Sequence, residues 1–244
     1  MSDESRRQFH TQLAAVKAEI VHLGALAIET IPRATAALLN GDLKAAQALI
    51  DADDVIDVKS LEIEEECMRL FALQQPMARD LRALMTAIKL NWDIERSADL
   101  AVNIGKAVRR IYGVELPPAV RGVIEQMSEE AYRLTRLAID AYMDLDVSIA
   151  AALDDMDDRL DSLQVDLMRT IFDAHETHGL PLQPAVQLAL IGRYYERIGD
   201  HAVNIGERTQ YLVTGWLPEH TGAARADARA RGVTSGGSDE STWS

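Results

Sequence analysis

The residues best placed to do chemistry in this chain are pairs of carboxylates that occur in both halves of the sequence. Residues 95–105 and 196–206 carry the same phrase, with eight of eleven positions identical at an offset of 101. Each copy holds two acids four residues apart, and a second, looser pair of acids recurs at the same offset. A spacing of four places both carboxylates on one face of a helix. The eight acids are Asp53, Asp57, Glu95, Asp99, Asp154, Asp158, Glu196 and Asp200.

These acids interrupt stripes of apolar residues, which predicts that they point into the protein. In the third predicted helix the stripe runs from Leu81 through Trp92 to Val102, and it contains one of the pairs. Helical hairpins that turn near residue 75 and near Gly179 would bring the two pairs of each half level with one another. Carboxylates removed from water in this way need protons, basic partners or metal ions to compensate their charge.

Bound cations are the interpretation that this pattern favours. Arg96 and Arg197 directly follow the glutamates, so we expect them to point about 100° away and to be poor partners. Ligands that are all oxygen suit hard cations such as Mg, Mn, Ca or ferric iron. Asn103 and Asn204 lie one turn beyond the aspartates and could ligate or orient the ion. His201 occurs only in the second half, and we interpret it as a structural residue.

Composition narrows the class of protein. The 244 residues include 39 acidic and 25 basic side chains, giving a formal net charge of −14, which argues against direct binding to nucleic acid. A single cysteine, Cys67, excludes an internal disulfide and a cysteine-based zinc site. The polar first residues predict no signal peptide, and the sequence shows no apolar run long enough to span a membrane and no glycine-rich phosphate loop. We therefore expect a cytoplasmic protein that is not inserted in the membrane.

Helical periodicity extends over almost the whole chain and predicts an all-α protein. The 101-residue repeat maps helices two and three onto helices five and six, which predicts two tandem three-helix bundles related by a pseudo-twofold repeat. We place the first bundle at 1–113, the second at 114–215 and a disordered tail at 216–244. The six helices are predicted at about 8–39, 42–73, 76–112, 117–145, 146–175 and 184–213.

The chain resembles the PhoU family of phosphate-signalling regulators over roughly residues 8–213. The resemblance rests on the duplicated three-helix plan and on three phrases, Gln-Pro-Met-Ala-Arg-Asp-Leu-Arg at 75–82, Asp-Ile-Glu-Arg-Ser-Ala-Asp at 93–99 and Tyr-Glu-Arg-Ile-Gly-Asp-His-Ala at 195–202. The second half departs from the pattern at 182–188, where the first of these phrases is missing. The two halves are therefore not expected to contact a partner equally.

The resemblance implies a function and a set of partners. It implies a cytoplasmic negative regulator of phosphate uptake and of the phosphate-starvation response, with no enzymatic activity. The eight repeated acids would be the metal-motif positions, which hold multinuclear iron clusters in some members of the family. The implied partners are the ATPase of a phosphate ABC transporter and a membrane histidine kinase, and the implied oligomer is a homodimer.

Two alternatives stay open at this point. One is a helical scaffold without metal, whose acids are protonated or paired with arginine. The other is a ferritin-like di-metal oxidase, a class that needs Glu-x-x-His on two helices of a four-helix bundle. The sequence offers one such motif, Glu19 and His22, without a counterpart at the 101 offset.

Overall fold

Six long α-helices account for most of the protein, as the sequence predicts. The computed structural model describes residues 3–74 and 76–216, and these contain no β-strand. None of the helices in this part of the chain combines the length and hydropathy needed to cross a membrane. The helices are α1 (Asp3–Asn40), α2 (Leu43–Gln74), α3 (Arg79–Arg110), α4 (Pro118–Asp144), α5 (Val147–His178) and α6 (Leu182–Thr214). The tail predicted at 216–244 lies outside the described residues, apart from Trp216.

Side-chain caps and glycines set several of the helix ends. The carboxylate of Asp42 accepts hydrogen bonds of 2.9 and 3.0 Å from the backbone N–H groups two and three residues further on. Asp146 does the same before α5, at 2.8 and 3.0 Å. Such caps satisfy N–H groups that have no partner within the helix. Gly179 ends α5 in the left-handed conformation that glycine adopts most easily.

The start of α3 differs from the prediction. Pro76 was expected to open this helix, but the helix begins at Arg79, after a turn in which Ala78 has a φ of 49°. The chain has to reverse between α2 and α3, and residues 76–78 form the reversal. At α6 the difference is smaller, because the helix begins at Leu182 and Pro184 lies in its first turn. The first N–H groups of a helix have no intrahelical partner, so the helix tolerates proline there.

The six helices form two three-helix bundles that share one core. Helices α1, α2 and α3 pack against one another, as do α4, α5 and α6. The bundles meet through α1 against α4 and through α3 against α6. The order of contacts therefore makes a row α2–α3–α6–α5, with α1 and α4 covering one side of the row. This arrangement confirms the predicted tandem of bundles with an internal repeat.

The glycine that closes the repeated phrase has a packing role in both halves. A Cβ on Gly105 would lie 2.9 Å from Cδ2 of Leu49, and one on Gly206 would lie 2.7 Å from the backbone oxygen of Ala150. Both distances are shorter than normal carbon contacts. The glycines thus let α3 approach α2, and α6 approach α5, at equivalent places in the two bundles.

A chain of buried hydroxyl groups joins the bundles on the side of α1 and α4. The hydroxyl of Tyr195 on α6 lies 2.6 Å from that of Thr35 on α1, which lies 2.7 Å from that of Ser128 on α4. Tyr195 is fully buried, so its hydroxyl needs a partner inside the protein. Burial raises the pKa of Tyr195 well above its usual range.

Candidate cation-binding face

The repeated acids lie on an open face of the protein, and the prediction that their stripe forms core is wrong. In α3 the stripe residues Leu81, Met85 and Trp92 are exposed, and Trp92 keeps 68% of its surface accessible. Helix α3 is packed by α1, α2 and α6, so only the side away from α1 stays open. The stripe that it buries is the neighbouring one, which includes Leu84, Ala87, Leu90, Ile94, Ala98 and Ala101.

The first acidic cluster brings together all four acids expected in the first half. Burial, followed by repulsion from Asp57 and Asp99, raises the pKa of Asp53 to about 6. Burial, followed by repulsion from Asp99 and Asp57, also raises the pKa of Glu95. Carboxylates raise one another's pKa in this way only when they are close. Three of the four line an open groove of about 790 Å³ between α2 and α3. The prediction that the pairs of this half lie level is therefore confirmed.

The second acidic cluster has a different membership. Its most perturbed residue is Asp157, whose pKa is raised to about 7 by burial and then by repulsion from Asp161, Asp200, Asp154 and Asp158. These five acids line a groove of about 420 Å³ between α5 and α6. Asp154, Asp158 and Asp200 were expected here, and Asp157 and Asp161 were not.

Glu196 does not join the second cluster, although the repeat predicts it. One oxygen of its carboxylate pairs with the guanidinium of Arg193, one turn earlier on α6. The other oxygen is buried without a hydrogen-bond partner. The equivalent of Arg193 in the first half is Trp92, which offers no charge, and this explains why Glu95 remains with its cluster.

The two arginines of the repeated phrase pair with the aspartates, against expectation. The guanidinium of Arg96 donates to Asp99 at 2.9 Å, and that of Arg197 lies 3.7 Å from Asp200. Residues three apart are neighbours on a helix, so a long arginine side chain reaches the next turn although it starts from another direction. All four side chains are partly exposed, and pairs of this kind stabilise a protein little.

Asp157 was missed because the repeat assigns it no partner. The 101 offset maps Asp157 onto Ile56, a buried apolar residue, so the comparison of halves excludes it. A second difference between the halves could have identified Asp157 from the sequence. Gly199 stands where the first half has Ala98, and a Cβ on Gly199 would lie 2.2 Å from Oδ1 of Asp157. The glycine is needed because the carboxylate occupies the space that a side chain would take.

A polar link between the bundles separates the two clusters. Nδ1 of His201 on α6 lies 2.9 Å from Oδ1 of Asp93 on α3, and Asn204 donates to the same oxygen at 3.3 Å. His201 is buried, with 8% of the residue exposed, and its Nε2 has no partner. His201 and Arg197 line both grooves. The position of His201 fits its interpretation as a structural residue. Of the two asparagines considered as ligands, Asn204 holds Asp93, and Asn103 lies partly buried one turn beyond Asp99.

The donor set has the chemistry that a hard cation needs, but its side chains do not converge on one point. The donors are carboxylates, and buried oxygens of Asp53 and Asp157 lack hydrogen-bond partners. However, no three His, Cys, Asp or Glu side chains of the described residues converge on a point that could hold an ion. Rotation of exposed carboxylates such as Asp57 and Asp158 would be needed to close a coordination shell.

The motif that suggested an oxidase lies elsewhere. Glu19 on α1 pairs with Lys59 on α2, and this ion pair lowers the pKa of Glu19. Its carboxylate is about half exposed and is not part of either cluster. Glu19 and His22 therefore do not extend the acidic face.

Comparison with known proteins gives matches that extend over both halves of the chain. The PhoU domain model matches twice, at residues 20–108 and 124–209. A phosphate-specific transport system accessory protein PhoU homolog 1 of Mycobacterium tuberculosis is 36% identical over 214 residues, which cover 87% of this chain and 96% of that protein.

Two crystal structures share the fold. PhoU from Pseudomonas aeruginosa superposes with a TM-score of 0.80 at 27% identity, covering 85% of this chain and all of the other. The phosphate transport system regulatory protein PhoU from Streptococcus pneumoniae gives a TM-score of 0.79 at 28% identity, covering 86% and 98%. The chain belongs to the PhoU family.

Proposed function

We propose that this protein is a cation-binding adaptor that restrains phosphate uptake and the phosphate-starvation response. The observation that carries the proposal is membership of the PhoU family across both halves, since curated relatives are accessory proteins of phosphate-specific transport systems. On this proposal the protein acts in the cytoplasm, as a homodimer. Its partners are the ATPase of a phosphate ABC transporter and a membrane histidine kinase.

Two acidic clusters on one open face support the cation part of the proposal. Asp53, Glu95 and Asp157 carry raised pKa values because burial and neighbouring acids disfavour their charge. A divalent or trivalent cation would remove that repulsion and replace lost hydration with carboxylate ligands. An ion in either groove would be held by the cluster lining it and would draw the flanking helices together.

The exposed apolar residues beside the first cluster support the adaptor part. Trp92, Met85 and Leu81 continue the acidic stripe of α3 towards its N-terminus, and all three are exposed. Exposed aromatic and methionine side chains next to a charged rim are typical of protein interaction surfaces. The second half has Arg193 at the position of Trp92, so we expect the first half to supply more of the apolar contact.

Metal analysis by mass spectrometry tests the cation part directly. The full chain would be purified without chelator beside the Asp99→Ala/Asp200→Ala variant, and Glu62→Ala would serve as a control because this acid is exposed on α2 and lines neither groove. We expect bound metal in the wild type and in the control, and its loss in the double variant. Absence of metal from all three proteins would favour the metal-free scaffold.

Binding to the purified transporter ATPase tests the adaptor part. We expect Trp92→Ala to weaken the complex by at least about tenfold, because a truncated aromatic anchor commonly removes more than 1.4 kcal/mol of binding free energy. Phe172→Ala, which truncates an exposed aromatic residue on α5, is the matched control and should bind as the wild type does. Equal binding by both variants would contradict a docking role for the first half.

A further inference from the structure

Four of the five acids in the second acidic cluster have no basic partner in the described part of the chain. Among these residues, no basic side chain forms an ion pair with Asp154, Asp157, Asp158 or Asp161. Only Asp200 has a basic partner, Arg197, at 3.7 Å. The first cluster is better compensated, since Arg96 binds Asp99 at 2.9 Å and the charge of Lys106 partly offsets the burial and repulsion that raise the pKa of Asp53.

The floor of the second groove contains buried polar atoms without partners. Asp157 lines the groove and is 9% exposed, and its Oδ1, which packs against Gly199, has no hydrogen-bond donor. Nε2 of His201, on the wall of the same groove, is also unpartnered. A buried carboxylate oxygen of this kind is unfavourable unless a donor or a cation reaches it.

The residues that follow α6 contain a basic segment of suitable size. Residues 225–231 read Arg-Ala-Asp-Ala-Arg-Ala-Arg, with three arginines and one acid in a chain whose net charge is −14. The family match ends at residue 209, so this segment lies beyond it. Arginine binds carboxylates through two parallel hydrogen bonds. This interaction does not require an apolar pocket, so it suits a groove lined by carboxylates.

The segment is long enough to reach the groove from the end of α6. Asp200 lies fourteen residues before Thr214, which is about 21 Å along a helix. Arg225 follows Trp216 by nine positions, and an extended chain of that length spans about 30 Å. Arg229 and Arg231 have four and six further residues of reach.

We infer that the basic segment 225–231 of this chain docks in the second acidic groove, where its guanidinium groups occupy the place of a cation. The segment then acts as an internal competitor that lowers the affinity of this groove for metal ions and leaves the first groove unaffected. The inference rests on the proposed function only in that both use the same groove. Tethering raises the effective concentration of the segment to about the millimolar range, so weak pairing is enough.

Zero-length coupling tests this docking without any metal present. Arg225→Lys, Arg229→Lys and Arg231→Lys keep the charge and add amines to a tail that has no lysine. A carbodiimide in chelator-containing buffer would join an amine to a carboxylate that it contacts, and peptide mass spectrometry would locate the bond. The Lys59–Glu19 ion pair provides an internal standard for the reaction.

The expected product joins the introduced amines to the peptide that contains Asp154, Asp157, Asp158 and Asp161. We expect its yield to be at least about fivefold higher than for Thr242→Lys, whose amine lies in the acidic part of the tail, and to fall in 1 M salt because the pairing is ionic. Bonds spread over other acids, or bonds found only between isotopically labelled and unlabelled copies of the chain, would overturn the inference.

Manganese titration separates this inference from the proposed function. Changing the three arginines to glutamine in the full chain should tighten Mn²⁺ binding at low salt by about threefold to tenfold and leave it unchanged in 1 M salt. If neither protein binds manganese while the coupling still maps to the second groove, the cation proposal fails and the docking stands. If manganese binds equally to both, the competition is refuted.

Discussion

The two halves of this protein share a scaffold but differ in how they hold charge. In both halves, a glycine at the end of the repeated phrase lets two helices approach each other, and a cluster of acids lies on the open face of the same two helices. At one equivalent pair of positions the first half has Ile56 and Ala98, and the second has Asp157 and Gly199. The second half thus buries a carboxylate where the first buries a hydrocarbon. The two halves therefore share their helix packing, whereas the chemistry of each groove is different.

A substitution that prevents the close approach of α5 and α6 should have the largest effect on stability. Gly206→Ala places a Cβ 2.7 Å from the backbone oxygen of Ala150, which cannot move without shifting α5. We expect a loss of about 2–3 kcal/mol in the free energy of unfolding and a fall in Tm of several degrees. Gly122→Ala on α4 is the control, because its Cβ would meet nothing and should stabilise the helix. Equal thermal melting of both variants would show that close packing at 206 is not needed.

Neutralising the buried carboxylate should have the next largest effect. The pKa of Asp157 is about 7, above its usual value of 3.8, so the folded protein keeps a proton that the unfolded chain loses. The stability of the chelator-treated protein should therefore fall as pH rises from about 4 to 7. Asp157→Asn should flatten this dependence and raise stability at pH 8 by about 2 kcal/mol. This is half of the about 4 kcal/mol that the full shift represents at about 1.4 kcal/mol per pKa unit, because solvent in the open groove screens the charge.

Thermal melts of both proteins between pH 4 and 8 measure this effect. Asp158→Asn, which removes an exposed carboxylate from the same cluster, is the control and should change the pH dependence much less. A stability that increases with pH in the wild type, or a parallel curve for Asp157→Asn, would contradict the assignment of the raised pKa to this residue.

Filling the space beside the carboxylate should weaken one groove and spare the other. Gly199→Ala brings a Cβ within 2.2 Å of Oδ1 of Asp157, so the carboxylate has to leave its position. On the proposed function we expect about a tenfold loss of Mn²⁺ affinity, or about 1.4 kcal/mol, in calorimetric titration of the second groove. The Glu95→Gln variant should show the converse pattern. A uniform loss at both sites in Gly199→Ala would indicate general unfolding.

The polar link between the bundles, formed by Asp93 and His201, should contribute least to stability. Asp93→Asn and His201→Leu each remove one partner of the 2.9 Å contact, and we expect a coupling of about 1 kcal/mol in a double-mutant cycle of unfolding free energies. The coupling should be small because Asn204 also binds Asp93 and can hold it when the imidazole is absent. Additive effects of the two substitutions would mean that the contact adds nothing to stability.

The sequence predicted the architecture better than it predicted the site. Helical periodicity and the 101-residue repeat were enough for six helices in two bundles, because both depend on spacing alone. The repeat also located the first cluster. It failed for Glu196 and Asp157, because the identities of Arg193 and Gly199 decide where those carboxylates go, and such contacts depend on packing between helices that periodicity does not describe. The buried stripe was misjudged for the same reason: burial depends on which side of α3 is covered.

The contact between α3 and α6 has the form of an isologous dimer interface fused into one chain. Equivalent helices meet across the pseudo-twofold axis, as identical subunits do in a symmetric dimer. In a true homodimer every contact occurs twice, so a substitution changes both copies together. Here the axis maps the pair Asp93–His201 onto Tyr194 and Leu100, an aromatic and an aliphatic residue. An interface within one chain is free of this constraint, so it can hold a single asymmetric polar contact between two grooves that differ.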